Sequence, residues 1–184
     1  MTLKLDEALQ IARDAGFEVA EPMDPQKFTF LTEVRDMCEA NTCQQWDKKW
    51  TCPPACGSLD ELKERLLRYQ DGVLFQTVAH METEFDGDGM LEAFQAMGAA
   101  TTKLLDALFA LDEDIWPFGN DGCFKCEECT FPDAPCRYPD RAYPSMEACG
   151  LMVMHVCRDN DVTYYYGPGV VALTGGFLFN PKPE

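Results

Sequence analysis

Four of the ten cysteines fall between residues 123 and 136, and their spacing limits what this part of the chain can fold around. The run is Cys123-x2-Cys126-x2-Cys129-x6-Cys136. Zinc sites usually take their four ligands from two separated pairs, because two turns supply a tetrahedron conveniently. Three thiols at successive x2 intervals are instead typical of a loop that wraps around a polynuclear centre. The run therefore favours an iron–sulfur cluster, with structural zinc as the alternative.

The match to the bacterial ferredoxin run, C-x2-C-x2-C-x3-C-P, is partial. Here the last gap is six residues, and Pro139 follows Cys136 by three. In two-cluster ferredoxins the fourth cysteine binds the other cluster, so Cys136 need not share a centre with its three neighbours. The sequence predicts a cluster of the 4Fe-4S type on this run, with Cys136 or another residue as the fourth ligand.

A second group of cysteines precedes this run, with the pattern Cys38-x4-Cys43-x8-Cys52-Pro-Pro-x-Cys56. Two separated pairs would suit zinc, and on spacing alone zinc and an iron–sulfur cluster are equally open here. The two prolines exclude a helix around Cys52 and hold the backbone extended, as a ligand loop requires. All four cysteines are predicted ligands, so the chain holds one or two metal centres.

Charge and the opening residues indicate the compartment and the partners. No basic segment followed by an apolar one opens the chain, which predicts a cytoplasmic protein, where disulfides are rare and dense cysteines indicate metal. No run of eighteen apolar residues predicts a membrane span. The net charge of −17 argues against nucleic acid and anionic membranes, and leaves room for a redox partner protein with a basic face. Whether the protein is a monomer or a dimer stays open.

The rest of the pattern predicts one α+β domain over residues 1–184, a mixed β-sheet packed with helices and interrupted by two cysteine loops at about 38–57 and 122–139. Local patterns place a helix from Leu5 that stops at Gly16, and a second one capped by Ser58. A buried strand should begin at Gly72, and a long helix should cover roughly residues 90–111. That helix should turn Phe94, Met97, Thr101, Leu104, Leu105 and Leu108 inward.

Three shorter segments complete the layout. The segment 28–38 is apolar and β-branched enough to predict an extended piece leading into Cys38. The stretches "VTYYYG" and "GVVALTGGFLF" suit a hairpin or neighbouring strands. Cys149 and Cys157 lie in apolar surroundings and are expected to be small core hydrophobes.

Several of these phrases combine into a family pattern. A C-x4-C followed by "CPP", then "GCFKCEECTFPDAPCRYPDRAYPSMEACGL", resembles a family of predicted metal-binding proteins, classed as a domain of unknown function and found largely in anaerobic bacteria and archaea. The residues that match its pattern are Cys38, Cys43, Cys52, Cys123, Cys126, Cys129 and Cys136. Cys56 and Cys149 depart from it, which leaves a four-cysteine first site open. The resemblance implies metal or cluster binding in a cytoplasmic protein of anaerobic metabolism, and it implies no reaction.

Three functions remain at this point. The first is an iron–sulfur protein that passes single electrons to a partner, with its potential set by hydrogen bonds, burial and charge. The second is a zinc-stabilised interaction module, because closed four-cysteine sites leave no open coordination position. The third is an enzyme in which one cluster lacks a fourth protein ligand and offers an open iron site.

Overall fold

The computed structural model describes residues 3–83, 86–111, 114–119, 123 and 125–180. Its helices are α1 (Leu5–Ala15), α2 (Thr32–Glu39), α3 (Leu59–Leu66), α4 (Gly87–Phe109) and α5 (Val153–Asp159). Its strands are β1 (Val19–Met23), β2 (Asp71–His80), β3 (Ile115–Pro117) and β4 (Val170–Phe179). Across the described ranges, no helix combines the length and the apolar character that crossing a membrane requires.

The four strands form one sheet in the order β1-β2-β4-β3. Its longest pairing joins β2 to β4 over ten residues, from Asp71 opposite Phe179 to His80 opposite Val170. The α+β class is therefore confirmed. The sheet is antiparallel throughout rather than mixed, because each strand runs opposite to its neighbour.

Alternating side chains of the two central strands supply two separate cores. Val73 and Phe75 join the first core, whereas Leu74 between them joins the second. Helices α1 and α4 cover the first face of the sheet. The second face is covered by α3, α5 and the turn at residues 145–150. Because Cys56 packs against this second core, the first predicted ligand loop lies on that side of the sheet.

Local sequence signals place several elements correctly. Helix α1 ends at Ala15, where Gly16 takes a left-handed φ of 116° and its N–H closes the last turn. Helix α3 begins with a capping box in which the Ser58 hydroxyl accepts from the Glu61 N–H and the Glu61 carboxylate accepts from the Ser58 N–H. The buried strand predicted from Gly72 is β2, and Cys149 and Cys157 are fully buried as expected.

Other predictions need correction. Residues 32–38, predicted to be extended, belong to α2, so Cys38 lies on the last turn of a helix. Only Val34 of that helix is buried, and its other positions are mostly helix-compatible polar residues. The "VTYYYG" stretch forms no strand, and Tyr165 within it is 72% exposed.

The long helix is shifted relative to its prediction. It begins at Gly87 because the Asp86 carboxylate accepts from the Gly89 N–H at 2.8 Å, and it ends at Phe109. Phe94, predicted to face inward, is 44% exposed, whereas Met97, Leu104 and Leu108 are buried as predicted.

Candidate metal centres

Three of the four cysteines predicted in the first loop line one cavity. Cys38 reaches it from the end of α2, and Cys43 and Cys52 reach it from the loop that follows. The cavity has a volume of about 220 Å³. Its remaining wall consists of Gln45, Trp46, Thr51, Pro53, Ser145, Glu147 and Ala148. The first loop and the turn at 145–150 therefore form the walls of this cavity, although Cys43 itself is exposed.

Tight backbone turns fold the first loop back on itself. Asn41, Gln44 and Asp47 have left-handed φ values of 56°, 60° and 54°, a conformation uncommon for residues other than glycine. The Asn41 side-chain oxygen accepts from the Trp46 N–H at 3.0 Å. The Asp47 N–H donates to the Pro53 carbonyl at 2.9 Å. These turns let thiols nine residues apart face the same cavity.

The fourth predicted ligand of this loop, Cys56, does not line the cavity. It packs against the second core, with its Sγ 3.9 Å from the Arg35 guanidinium and 4.0 Å from the Ala148 carbonyl. Burial raises the pKa of the Cys56 thiol to about 11. The structure thus brings three of the four predicted ligands together and leaves Cys56 outside.

Arg35 fastens the first loop to the turn that forms the opposite wall. Its guanidinium donates to the Ala148 carbonyl at 2.7 Å and to the Gly57 carbonyl at 3.0 Å. Charge-assisted bonds of this kind are stronger than neutral ones, and the planar fork fixes both partners at once. Arg35 therefore ties the end of the first loop at Gly57 to Ala148, which lines the first cavity.

All four cysteines of the second loop line another, smaller cavity. Cys123, Cys126, Cys129 and Cys136 surround an enclosed volume of about 20 Å³. The Tyr138 N–H donates to the Cys136 sulfur at 3.4 Å. Hydrogen bonds of this type to cysteine sulfur are among the features that set the properties of thiolate-bound centres. Gly122 and Phe124, which belong to the predicted loop, lie outside the described residues.

Hydrogen bonds inside the second loop hold it closed around these thiols. The Arg137 guanidinium donates to the Glu128 carbonyl at 2.8 Å. The Thr130 hydroxyl donates to the Pro135 carbonyl at 2.9 Å. The first bond spans residues 128–137, which include Cys129 and Cys136, and the second closes the turn between these two cysteines.

The two cysteine loops are in contact with each other. The Lys49 ammonium donates to the Cys123 carbonyl at 2.5 Å, and the Trp50 indole donates to the Ala134 carbonyl at 3.2 Å. The Trp50 ring also meets Phe131 edge-on, with ring centroids 4.9 Å apart. Residues 49 and 50 therefore dock the first loop onto the second.

Thr51 forms part of the wall of both cavities. Its side chain is 4% exposed, and its Oγ1 has no hydrogen-bond partner within the described ranges. Buried hydroxyl groups are nearly always hydrogen-bonded, so an unpaired one between two thiol-lined cavities calls for an explanation.

Burial dominates the electrostatics of the first cavity. It raises the pKa of the Cys38 thiol, and the Arg35 charge partly opposes that rise. Burial also raises the pKa of the Cys52 thiol, and among the groups that oppose this rise the Thr51 hydroxyl has the largest effect. Because metals bind the thiolate form, a bound cation must displace these protons.

The chemistry of the donors fits a thiophilic metal. Thiolates select zinc, copper(I) and iron–sulfur clusters over harder cations such as calcium or magnesium. As the side chains stand, the described part of the chain contains no group of three or more His, Cys, Asp or Glu residues arranged to hold a metal ion. The Thr51 hydroxyl lies in the wall that the two cavities share, where it is a donor that thiolate sulfur could accept.

Sequence reasoning missed three residues that shape the first cavity. Arg35 carried no signal, because its contacts with Gly57 and Ala148 are distant in sequence. Glu147 also lines the cavity, and beside the larger effect of burial its carboxylate contributes to raising the pKa of the Cys38 thiol. Thr51 had a signal that could have been used, since it directly precedes the cysteine of the "CPP" motif.

Comparison with known proteins places the chain in a family. No curated protein and no solved structure matches it. A family model described as predicted metal-binding protein (DUF2284) matches residues 21–179, a range that includes both cysteine loops. The chain therefore belongs to this family of predicted metal-binding proteins.

Proposed function

We propose that this protein binds two iron–sulfur clusters of the 4Fe-4S type and passes single electrons to a partner protein. Cys38, Cys43 and Cys52 would hold the first cluster, and the four cysteines of the second loop would hold the other. The observation that carries the proposal is the contact between two thiol-lined cavities, which share Thr51 as a wall. Bound clusters supply one-electron chemistry that the amino acids themselves lack.

The size of the first cavity supports a polynuclear group there. Its volume of about 220 Å³ is far above the ~10–15 Å³ that one water-sized probe needs. A closed zinc site needs room for one ion between four thiolates. Three thiols around so large a space suit a cluster better than a single ion.

The arrangement of the two loops supports electron transfer. The Lys49–Cys123, Trp50–Ala134 and Trp50–Phe131 contacts hold the loops together. Electrons entering one centre would therefore have a second centre close by. The Lys49 ammonium contacts the Cys123 carbonyl and the Arg35 charge acts on the Cys38 thiol, and positive charge near a centre stabilises its reduced, more negative state.

The test is the content of iron, zinc and acid-labile sulfide in protein purified without oxygen. We expect about eight irons and matching sulfide per chain, with visible absorbance that bleaches on reduction. Cys126→Ser should lower the iron content by about half, because it removes a ligand of the second centre alone. The matched control is Cys157→Ala, since Cys157 is buried in the second core and lines neither cavity. A colourless protein with stoichiometric zinc and no iron would contradict the proposal.

The second cavity favours another candidate, a structural zinc site. Its enclosed volume of about 20 Å³ is close to the ~10–15 Å³ that one water-sized probe needs. Four thiolates around one ion would close the coordination sphere, so this centre would stabilise the loop rather than carry electrons. About four irons with one zinc per chain would support zinc in the second loop, and zinc in both loops would indicate an interaction module.

A further inference from the structure

We propose that a third cavity, between α4 and the end of β3, binds a small organic carboxylate with an apolar body. Its volume of about 400 Å³ lies within the ~300–1,000 Å³ that is typical of small-molecule sites. It adjoins the second thiol-lined cavity, because Cys123 and Lys125 form part of both walls. Binding of the ligand stands independently of the proposed function, whereas its effect on the second centre rests on that function.

The first argument is the apolar wall of this third cavity. Gly98, Thr101 and Leu105 follow one another on α4 at intervals of three and four residues, so they share one face of the helix. Phe94 lies one turn earlier on the same face and is 44% exposed, although it is a large apolar side chain. Phe118, which follows β3, lines the cavity from the sheet. Small-molecule sites are concave and mostly apolar, with a few polar groups that orient the ligand.

Gly98 keeps the space beside α4 open. Glycine in the middle of a helix costs about 1 kcal/mol relative to alanine. A Cβ added at Gly98 would have no heavy atom within 4 Å, so packing inside the protein does not require glycine here. Because Gly98 lines the cavity, a larger side chain at this position would take up space inside it.

The second argument is the charge of the cavity wall. Lys125 and Arg141 line the cavity, and no described Asp or Glu side chain does so. The chain as a whole has the opposite balance, with 32 acidic and 15 basic residues. A cavity with two cations and an apolar wall is complementary to a molecule that carries a carboxylate on an apolar body.

The two cations differ in how they are held. The Arg141 guanidinium donates to the Asp106 carboxylate at 2.8 Å and lies over the Phe109 ring, 4.6 Å from its centroid. The guanidinium has five N–H groups, so this bond leaves others that can donate to a ligand. Among the described residues, none forms an ion pair with Lys125. Since Asp106 offsets the charge of Arg141, Lys125 supplies the net positive charge for an anion.

The experiment uses phenylpropionate as the probe and its neutral amide as the matched control of the same shape. Full-length protein purified without oxygen is titrated, and binding is measured by ligand-observed NMR. We expect phenylpropionate to bind at millimolar or lower concentration. The amide should bind about tenfold more weakly, because it lacks the charge that Lys125 and Arg141 attract.

Two variants locate the probe. Gly98→Leu should abolish binding because it fills the cavity, and it should be at least as stable as the wild type because leucine favours the helix. Lys125→Gln should weaken binding of phenylpropionate by about threefold or more. Lys63→Gln is the matched control, since Lys63 lies on α3 outside this cavity, and it should bind like the wild type. If Gly98→Leu does not fold by circular dichroism, Lys125→Gln and the amide decide the question.

Three outcomes overturn the inference. Absence of phenylpropionate binding at millimolar concentration would show that the cavity does not take this class of ligand. Equally tight binding of the amide would mean that the cations play no part. Unchanged binding in a folded Gly98→Leu variant would place the probe elsewhere on the protein.

A second readout tests the position of the ligand beside the second centre. Negative charge close to an iron–sulfur centre disfavours its reduced state. Saturating phenylpropionate should therefore lower the reduction potential of the second centre more than that of the first, because Cys123 lines both cavities. Binding without a shift in the second potential would contradict this position.

Failure of this inference can be told apart from failure of the proposed function. If the protein holds zinc and no iron, the redox proposal fails, but the NMR titration still tests the cavity. If the protein holds iron and phenylpropionate does not bind, the ligand site is wrong and the redox proposal is unaffected.

Discussion

Cys52 and Cys56 are four residues apart, yet they lie in different surroundings. Cys52 opens into the first cavity with Cys38 and Cys43, whereas Cys56 packs against the second core beside Arg35. Two cysteines flanking a pair of prolines would ordinarily be assigned to one metal site. Their separation leaves three cysteines in the first cavity, so a cluster bound there would have one position without a protein thiolate.

This difference leads to a prediction about single substitutions. We expect Cys52→Ser to lose the iron of the first centre, because it removes one of the three thiols in the cavity. Cys56→Ser should keep the full iron content, since its sulfur lies outside that cavity. Iron and sulfide analysis of both variants, purified without oxygen and checked for folding by circular dichroism, provides the measurement. Loss of iron in Cys56→Ser would mean that Cys56 moves to become a fourth ligand.

Residue-level prediction from the sequence worked where the cause was local. The Ser58 capping box and the Gly16 stop depend on residues at most a few positions away, so their patterns are visible in the chain. The separation of Cys56 from Cys52 was not visible. It depends on Arg35, which is 21 residues from Cys56 and 113 from Ala148. Spacing identifies thiols that can bind metal, but tertiary contacts decide which of them share a cavity.

Among the elements, the turn at residues 145–150 connects the core to the first cavity. Ser145, Glu147 and Ala148 line the cavity, and the Gly150 carbonyl accepts from the Leu31 N–H at 2.8 Å, just before α2. Gly150 has a φ of 77°, and a Cβ at this position would collide with the Leu59 side chain at the start of α3. The turn can approach α2 and α3 this closely only because residue 150 is glycine.

We therefore expect Gly150→Ala to destabilise the protein. The left-handed backbone costs about 1–2 kcal/mol for a residue with a Cβ, and the clash with Leu59 adds to this. Gly16→Ala is the matched control, because Gly16 also has a positive φ but has nothing within 4 Å of an added Cβ. Urea unfolding should show a larger loss of stability for Gly150→Ala than for Gly16→Ala. Equal losses would indicate that Leu59 moves aside without cost.

Element prediction failed mainly where packing overrides local preference. The segment before Cys38 has apolar and β-branched residues, but it forms α2, anchored by the buried Val34 and the Arg35 contacts. The antiparallel order of the sheet was not predictable either, since β2 pairs with β4 some hundred residues later in the chain. Sequence patterns predict that strands are present, but they do not predict which strands pair with each other.

At the scale of the whole molecule, the sheet separates two regions. Helices α1 and α4 pack on one face, and the first predicted metal centre lies on the other side with the second core, whereas Cys123 of the second loop shares a cavity with α4. The chain as a whole is strongly acidic, with 32 acidic and 15 basic residues. A negatively charged protein attracts cationic partners over distances comparable to the Debye length, about 10 Å at 0.1 M salt.

This charge predicts how electron exchange should depend on salt. Oxidation of the reduced protein by a cationic complex, such as hexaammineruthenium(III), should slow as ionic strength rises, because salt screens the attraction. Oxidation by the anionic ferricyanide should accelerate under the same change. Stopped-flow measurements between low and moderate salt provide the test. Identical salt dependence for the two oxidants would mean that the region around the centres is not acidic, despite the net charge of −17.

The position of β4 in the chain has a consequence for biosynthesis. This strand lies between β2 and β3 in the sheet, yet it is translated after every other element described. While the ribosome is still adding residues 170–179, both cysteine loops have already been made, but β2 lacks its ten-residue partner. We expect the nascent chain to expose its thiols before the sheet closes. Metal supplied by the cell would then reach a partly folded polypeptide, and β4 would pair with β2 only afterwards.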